Sequence, residues 1–299
     1  MSWTEWAEAE GAGIVGDGQW RSIRSLAGGG PGFELDGHHV VSFASNDYLG
    51  LTQHAAVVAA AHVALDRFGA GSGSARLITG SRAVHDELEE ALAAWKQQDA
   101  ALLFPTGFAA NLGVLSALAG RDVTVCSDAL NHASIIDGCR LSRAQVAVYE
   151  HGDLDHLAKL LGDAGRAIVV SDTVFSMDGD VADVDALASL CSSHGALLVL
   201  DEAHAVLGPH PSFPRDADVL RVGTLSKTLG SLGGFVAGPR PLIELLLNRA
   251  RPFIFTTAST PADAAAAMAA LEVLRSEEGD ALVARLRSHV DRVRAGHPS

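Results

Sequence analysis

Residues 196–204 read ALLVLDEAH, and residues 222–234 read VGTLSKTLGSLGG. The first stretch is a short apolar run that ends in an acid, which is typical of a buried strand in a parallel sheet. The second stretch places Lys227 in a glycine-rich turn that contains no other charged residue. Because ligands of open α/β sheets bind beyond the carboxyl ends of the strands, we expect Asp201, His204 and Lys227 to lie at one site.

Apolar runs of the same kind recur between about residue 85 and residue 250. Predicted strands are 100–104, 123–127, 145–149, 167–171, 196–201, 219–224 and 235–238, and predicted helices lie near 85–97, 108–118, 132–142, 154–162, 184–194 and 240–249. Strands that alternate with helices indicate βαβ units. The sequence therefore predicts an α/β fold with a mostly parallel sheet flanked by helices.

Three segments are predicted along the chain: an N-terminal arm at 1–40, a large domain at 41–250, and the start of a smaller C-terminal domain at 251–299. Glycines within residues 11–18 predict a break in any helix of the arm, because glycine destabilises helix interiors. Alanine-rich and then charged amphipathic stretches from 260 to 296 predict one long helix or two consecutive helices.

Composition limits the classes of function. The 299 residues include 36 acidic and 22 basic side chains, a balance that disfavours nucleic acid as a partner. No apolar run reaches the roughly 18 residues of a membrane span. The N-terminus lacks the features of a signal peptide, so we expect a cytoplasmic protein whose three cysteines are reduced. The histidines and cysteines show no metal-ligand spacing, so no metal site is predicted.

The chain contains only three lysines. Lys96 and Lys159 lie in amphipathic helical patterns, which predict solvent-exposed side chains. Lys227 has apolar and glycine neighbours instead. An amine attacks a carbonyl only in its neutral form, and burial in such a turn favours that form. Lys227 is therefore the candidate nucleophile.

The sequence Asp-Glu-Ala-His at 201–204 has two other interpretations. A strand-end carboxylate can be purely structural, and the same four residues occur in the Walker B element of helicases. A helicase needs Gly-x-x-x-x-Gly-Lys-[Ser/Thr] upstream of that element. Lys227 lies downstream and follows Ser226 rather than glycine, so the order of motifs disfavours a helicase.

Two further strand-to-helix junctions carry candidate binding residues. In residues 104–111, FPTGFAAN, free amides at the start of a helix near Gly107 suit a phosphate group. In residues 128–134, DALNHAS, His132 occupies a position from which an imidazole can stack on a planar cofactor. Each junction alone also fits an ordinary helix cap.

Taken together, these segments resemble the α-oxoamine synthases, a group of fold-type I pyridoxal 5′-phosphate (PLP) enzymes. The resemblance runs from about residue 42 to residue 278, and its most specific part is SNDYLGL at 45–51 followed by the lysine turn. It implies a fold-type I PLP-transferase fold and PLP carried as a Schiff base on Lys227. It also implies that the family's C-terminal small domain is incomplete in this chain, which would be a truncated member or a fragment.

The resemblance also assigns roles to individual residues. The implied catalytic residues are Lys227, His132, Asp201 and His204. The implied cofactor-binding residues are Gly107, Phe108, His132, Ser176, Asp201, His204, Thr224, Lys227 and Thr257. Asn46 and Arg21 are the implied substrate-binding residues, with Arg24 as an alternative to Arg21. Thr257 would reach the phosphate of a neighbouring subunit, which implies a homodimer with its active site at the interface.

The implied reaction is an acyl transfer in which alanine condenses with a pimeloyl thioester, of coenzyme A or a carrier protein, and CO₂ is lost. Such a reaction belongs to biotin biosynthesis. Three alternatives stay open: a related synthase that uses glycine and another acyl-CoA, a different fold-type I activity such as an aldolase or aminotransferase, and a partner subunit with impaired catalysis.

Overall fold

The computed structural model describes residues 1–208, 211–214 and 216–296. The chain divides into two compact units, Met1–Ala44 and Ser45–Ser299. This division does not test the boundaries predicted at residues 40 and 250, which stay predictions.

The smaller unit begins with a helix that the sequence analysis expected to be broken. Helix α1 (Trp3–Gly16) continues through Gly11. Its first turn is closed by a capping box between Ser2 and Glu5. A Cβ on Gly11 would lie 3.5 Å from the ring of Trp20, so the indole packs beside this glycine. The helix passes Gly11 and Gly13 without a break, where the capping box and the packing of Trp20 stabilise it, and it ends at Gly16, inside the segment where a break was predicted. The prediction was therefore wrong only for Gly11 and Gly13.

The smaller unit also contains a two-stranded antiparallel sheet. Strand β1 (Gly32–Leu35) pairs with β2 (His38–Val41). The pairing aligns Gly32 with Val41 and Leu35 with His38.

The larger unit alternates strands and helices. Its strands are β3 (Ala100–Phe104), β4 (Val123–Asp128), β5 (Gln145–Tyr149), β6 (Arg166–Asp172), β7 (Leu197–Asp201), β8 (Val219–Thr224) and β9 (Gly234–Gly238). Its helices are α2 (Ala55–Phe68), α3 (Ala83–Lys96), α4 (Gly107–Leu118), α5 (Ala133–Ser142), α6 (Leu154–Gly162), α7 (Val184–His194), α8 (Arg240–Arg249), α9 (Arg251–Ile254), α10 (Pro261–Leu274) and α11 (Glu277–Gly296). A 3₁₀ turn covers Leu51–Gln53, and a π turn covers Arg76–Gly80.

The predicted sheet is confirmed. Seven strands pair in the order β3-β9-β8-β7-β6-β4-β5, and only β9 runs antiparallel to its neighbours. Each predicted strand is present with bounds that differ by no more than one residue at either end. The central strands are buried on both faces, as their unbroken apolar runs require. The C-terminal region forms two consecutive helices, α10 and α11.

The sheet determines where the site lies. Strands β4, β6 and β7 each end in an aspartate, and these are Asp128, Asp172 and Asp201. In the register of β6 and β7, Asp172 is paired with Asp201, so their side chains point to the same face. Both carboxylates are buried, at 7% and 6% exposure.

The prediction that Lys96 faces solvent was wrong. Its side chain is 11% exposed, and its Nζ lies 2.7 Å from Oε2 of Glu202 and 3.8 Å from the ring centre of Trp95. Arg221 pairs with the same glutamate from β8 at 2.6 Å. Helical periodicity placed Lys96 on a polar face, but its amine pairs with Glu202, which follows β7, and its carbonyl accepts a hydrogen bond from Arg221 of β8. Lys159 is exposed, as predicted.

Cys126, Cys139 and Cys191 are free, buried thiols. Among the residues that the structure describes, no helix combines the length and apolar character needed to span a lipid bilayer.

Candidate active site

A cavity of about 260 Å³ opens beyond the carboxyl ends of the central strands. Eight of the predicted site residues line it: Gly107, Phe108, His132, Ser176, Asp201, His204, Thr224 and Lys227. Five polar residues that the sequence analysis did not assign to the site also line it: Thr106, Asn111, Ser134, Asp172 and Ser226. A larger cavity of about 410 Å³ lies beside Lys96, Glu202 and Arg221, but these charges pair with one another.

Lys227 lies on a tight turn after β8. The turn is closed by hydrogen bonds from Gly230 N to the Lys227 carbonyl and from Ser231 N to the Leu225 carbonyl. The amine Nζ lies 2.7 Å from Nε2 of His204. Burial lowers the pKa of Lys227, and the carboxylates of Asp201 and Asp172 only partly oppose this shift. The site therefore favours the neutral, nucleophilic amine more than water does.

His204 is held from both sides of its ring. Nε2 faces Lys227, and Nδ1 lies 2.6 Å from the hydroxyl of Tyr48. Burial, followed by the charges of Lys227 and His132, lowers the pKa of His204 to about 4. The imidazole is therefore neutral at physiological pH and can accept one hydrogen bond and donate another.

Asp201 ends β7 with both carboxylate oxygens engaged. Oδ1 accepts a hydrogen bond from the backbone of Ala203 at 2.9 Å, and Oδ2 accepts one from the side-chain amide of Asn111 at 2.6 Å. The oxygen Oδ1 of Asn111 is buried and has no hydrogen-bond partner among the described residues. Asn111 lies four residues after Gly107 on α4, so both face the cavity, and this helical spacing was the signal that could have found it.

His132 caps α5 at the adjacent junction. Its backbone N–H donates to Asp172 at 2.9 Å, and its Nδ1 contacts the hydroxyl of Ser134 at 2.7 Å. The backbone N–H of Ser134 also donates to Nδ1, so Nδ1 is the acceptor in this pair. The imidazole is thus fixed at the rim of the cavity, with its ring centre 6.4 Å from that of Phe108.

Asp172 also lines the cavity, although the sequence analysis did not assign it to the site. Burial and the neighbouring Asp201 raise the pKa of Asp172. Two paired strand ends bring the two carboxylates to one face. No sequence signal distinguished Asp172 from other strand-end acids, because the register of neighbouring strands appears only in the folded sheet.

The N-terminus of α4 forms another wall of the cavity. The side chain of Thr106 accepts the hydrogen bond of Ala109 N at 3.0 Å, and the amides of Gly107 and Phe108 belong to the open first turn. A Cβ on Gly107 would lie 3.3 Å from Cβ of Thr224, so the lysine turn approaches the helix closely. Such a helix start with adjacent hydroxyl groups suits an anion, and phosphate above all.

Three predicted site residues are not among those that line the cavity. Asn46 lies behind His204, where its Oδ1 is 3.3 Å from the Tyr48 hydroxyl. Thr257 is exposed and borders a small separate space beside Arg76. Arg21 is an exposed residue of the smaller unit, as is Arg24, and the roles given to both stay predictions.

The donor set of the cavity fits PLP. An amine of lowered pKa matches an aldehyde, a buried carboxylate matches a protonated pyridine nitrogen, and a helix N-terminus matches a phosphate. Oδ1 of Asn111 is buried without a hydrogen-bond partner among the described residues, which leaves one buried polar atom available to a ligand. These features line one cavity.

Comparisons with known proteins agree with this geometry. Residues 38–297 match the family described as aminotransferase class I and II. A protein of Anaeromyxobacter sp. (strain K), named 8-amino-7-oxononanoate synthase, is 49% identical over 97% of this chain and 77% of that protein.

Solved structures of related enzymes have a similar fold. A serine palmitoyltransferase from S. paucimobilis with a bound PLP–myriocin aldimine has a TM-score of 0.81 at 30% identity, covering 90% of this chain and 71% of that one. The 8-amino-7-oxononanoate synthase of Francisella tularensis has a TM-score of 0.69 at 28% identity, covering 80% and 70%. The chain is therefore a PLP-dependent, fold-type I enzyme of the class I and II aminotransferase family, and it belongs to the 8-amino-7-oxononanoate synthase group within that family.

Proposed function

We propose that this protein condenses alanine with a pimeloyl thioester, releases CO₂ and forms 8-amino-7-oxononanoate, a reaction of biotin biosynthesis. The relatives with that name support the reaction. The observation that carries the proposal is the 2.7 Å contact between the Lys227 amine and Nε2 of His204 in a cavity that Asp201 also lines.

The polar groups of the cavity have distinct proposed tasks. Lys227 would hold the cofactor covalently, and its Nζ, once the amino group of the substrate has displaced it, would move the α-proton of the amino acid. Asp201 pairs with the pyridine nitrogen, and His204 with the phenolic oxygen. When bound, PLP supplies an electron sink that stabilises the negative charge developing at the amino acid's Cα. A fixed carboxylate is needed because the protonated ring accepts electrons far better than the neutral one.

The remaining cavity residues bind the other parts of the cofactor. His132 stacks on the ring, and its position beside Phe108 supports this role. The amides of Gly107 and Phe108 bind the phosphate, with Thr224 and Ser176 at the cavity wall. These assignments place the reacting atoms near Lys227 and the charged phosphate at the helix start.

We further propose that the protein acts as a homodimer in which Thr257 reaches the phosphate of the neighbouring subunit. Phe255, two residues away, is 69% exposed, so this segment presents an aromatic ring at the surface of the chain. Arg21 and Asn46 would contact the acyl substrate and the amino acid. The free thiols support action in the reducing cytoplasm.

A second candidate reaction uses another amino acid and another acyl thioester. The similarity to serine palmitoyltransferase favours this possibility, since that enzyme has the same fold at 30% identity. The cavity residues proposed to bind PLP are compatible with both reactions and do not distinguish between them.

Absorbance spectroscopy and product analysis test the proposal together. Purified protein mixed with PLP is expected to show a band near about 420 nm that disappears in Lys227→Ala, while Lys159→Ala, which changes an exposed lysine, keeps it. Alanine with pimeloyl-CoA or a pimeloyl carrier protein should then give 8-amino-7-oxononanoate by mass spectrometry. A folded wild type without the band would contradict the cofactor site. Turnover only with glycine and acetyl-CoA would contradict the substrate assignment.

A further inference from the structure

Tyr48 lies on the far side of His204 from Lys227. Its hydroxyl is 2.6 Å from Nδ1 of His204, whereas Nζ of Lys227 is 2.7 Å from Nε2. Tyr48 is not among the residues that line the cavity. We propose that Tyr48 is a positioning residue that determines which ring nitrogen of His204 carries the proton, and that Asn46 fixes the proton of Tyr48. This inference rests on the proposed function of Lys227 and extends it.

The Tyr48 hydroxyl has one proton and two neighbouring acceptors, Oδ1 of Asn46 at 3.3 Å and Nδ1 of His204 at 2.6 Å. We assign the proton to the hydrogen bond with Asn46. Toward His204 the same oxygen is then an acceptor, so Nδ1 carries the imidazole proton. Burial raises the pKa of Tyr48, which keeps the hydroxyl protonated, and the lowered pKa of His204 keeps its ring neutral. Nε2 is therefore left with a free lone pair that faces Lys227.

This tautomer matters for the nucleophile. A neutral lysine amine has two N–H bonds and one lone pair. When Nε2 is an acceptor, it binds one N–H of Lys227 and leaves the lone pair of Nζ free to attack a carbonyl. If Nε2 carried the proton, it would donate to that lone pair and compete with the attack. The proton on Nδ1, held toward Tyr48, thus prepares the amine for reaction.

The two loops that carry Tyr48 and Lys227 are packed against each other. Leu49 and Leu51 belong to the same buried apolar cluster as Leu225 and Leu229 of the lysine turn. The backbones approach so closely that a Cβ on Gly230 would lie 2.6 Å from the backbone nitrogen of Thr52. The distances among Tyr48, His204 and Lys227 are therefore set by the fold before any ligand binds.

Tyr48→Phe removes the hydroxyl and keeps the ring. The chain offers a matched control, because Tyr149 is its only other tyrosine and lies in a different buried cluster with a hydroxyl that has no partner among the described residues. The full chain, without added cofactor, is labelled with ¹⁵N-histidine, and the ring nitrogens are observed by long-range proton–nitrogen correlation NMR. His204→Asn identifies the His204 signals by their loss.

The wild type and Tyr149→Phe are expected to show His204 protonated on Nδ1. In Tyr48→Phe this preference should disappear, giving a substantial Nε2–H population. Asn46→Ala provides a second variant at an exposed position. It frees the Tyr48 proton to turn toward Nδ1, so it should also increase the Nε2–H form. An Nε2–H wild type, or a Tyr48→Phe protein that keeps the Nδ1 proton, would overturn the proposal.

The rate of PLP loading gives a second readout. We expect the band near about 420 nm to form roughly tenfold more slowly in Tyr48→Phe, the factor that loss of one hydrogen bond commonly produces, and at the wild-type rate in Tyr149→Phe. Equal rates in all three proteins would contradict the role given to the tautomer. A wild type with the Nδ1 proton that binds no PLP would contradict the proposed function but support the tautomer assignment.

Discussion

The side-chain amide of Asn111 lies 2.6 Å from Oδ2 of Asp201. The same nitrogen lies 2.9 Å from the hydroxyl of Ser134, which in turn contacts Nδ1 of His132. One buried amide therefore connects the carboxylate proposed to hold the pyridine nitrogen with the imidazole proposed to stack on the ring. Hydrogen bonds to a charged group are among the stronger ones, so this connection fixes the orientation of both side chains.

Asn111→Ala is expected to weaken cofactor binding. The change leaves Oδ2 of Asp201 without its amide donor and releases Ser134, so the dissociation constant for PLP should rise about tenfold. The measurement is a titration of the absorbance band with PLP. Asn248→Ala, at an exposed position of α8 where the amide bonds only to its own helix, should bind like wild type. Wild-type affinity in Asn111→Ala would show that this connection does not orient Asp201.

Gly230→Ala tests the close packing of the lysine turn. Gly230 has φ = 58°, and its Cβ would lie 2.6 Å from Thr52 N, whereas Gly152 has φ = 68° and open space around its Cβ. Gly152→Ala should lower the free energy of unfolding by about 1 kcal/mol, because alanine is strained in the left-handed conformation. Gly230→Ala should lower it by about 3 kcal/mol, because a steric clash is added to the same strain. Urea unfolding measures both, and equal losses would mean that the turn has room to adjust.

Lys96→Met tests the buried ion cluster behind the site. Glu202 is 8% exposed and depends on Lys96 and Arg221 for charge balance. Removing one cation should lower the free energy of unfolding by about 3 kcal/mol, because breaking a buried pair leaves charge uncompensated. Adding Glu202→Gln should restore part of that loss. Lys159→Met, at an exposed site, should change stability little, and an equal loss in the two lysine variants would argue against the cluster.

The sequence predicted the sheet well because local patterns determine it. Each buried strand, such as β7, is a short apolar run bounded by glycine or polar residues, and this pattern is visible without knowing which distant segments pack against it. The strand-end pattern and the lysine turn predicted that Asp201, His204 and Lys227 share one site, and the structure brings them into one cavity. The roles assigned to these three residues come from the family resemblance and could not be derived from helix or strand periodicity.

The sequence did not predict contacts between distant segments. The lysine at position 96 was assigned to solvent because its partner Glu202 is more than 100 residues away. Asn111 and Tyr48 were missed as partners of Asp201 and His204 for the same reason. The break expected at residues 11–18 does not occur at Gly11 or Gly13, where the cap at Ser2 and the packing of Trp20 stabilise the helix, but the helix does end at Gly16.

His151 connects the turn that carries Ser176 to the sheet. Nδ1 lies 2.9 Å from Oδ1 of Asp128 at the end of β4, and Nε2 lies 2.6 Å from Oδ2 of Asp180. The imidazole also packs on Phe175, with ring centres 4.5 Å apart. Partial burial disfavours the charged ring, but the hydrogen bonds and charges of the two aspartates outweigh this and raise the pKa of His151 above its usual 6.5.

A pKa that is raised in the folded state determines how stability changes with pH. The ion pairs of His151 contribute fully below the unfolded pKa of about 6.5, and the contribution is lost as pH rises through the higher folded pKa. Because the side chain is 30% exposed, we expect these ion pairs to contribute less than about 1 kcal/mol to the free energy of unfolding. His151→Gln should therefore lower the melting temperature by about 2 °C at pH 6 and by less at pH 8.5. If the melting temperature of His151→Gln fell further below that of wild type as pH rises, this would contradict a charged His151 between Asp128 and Asp180.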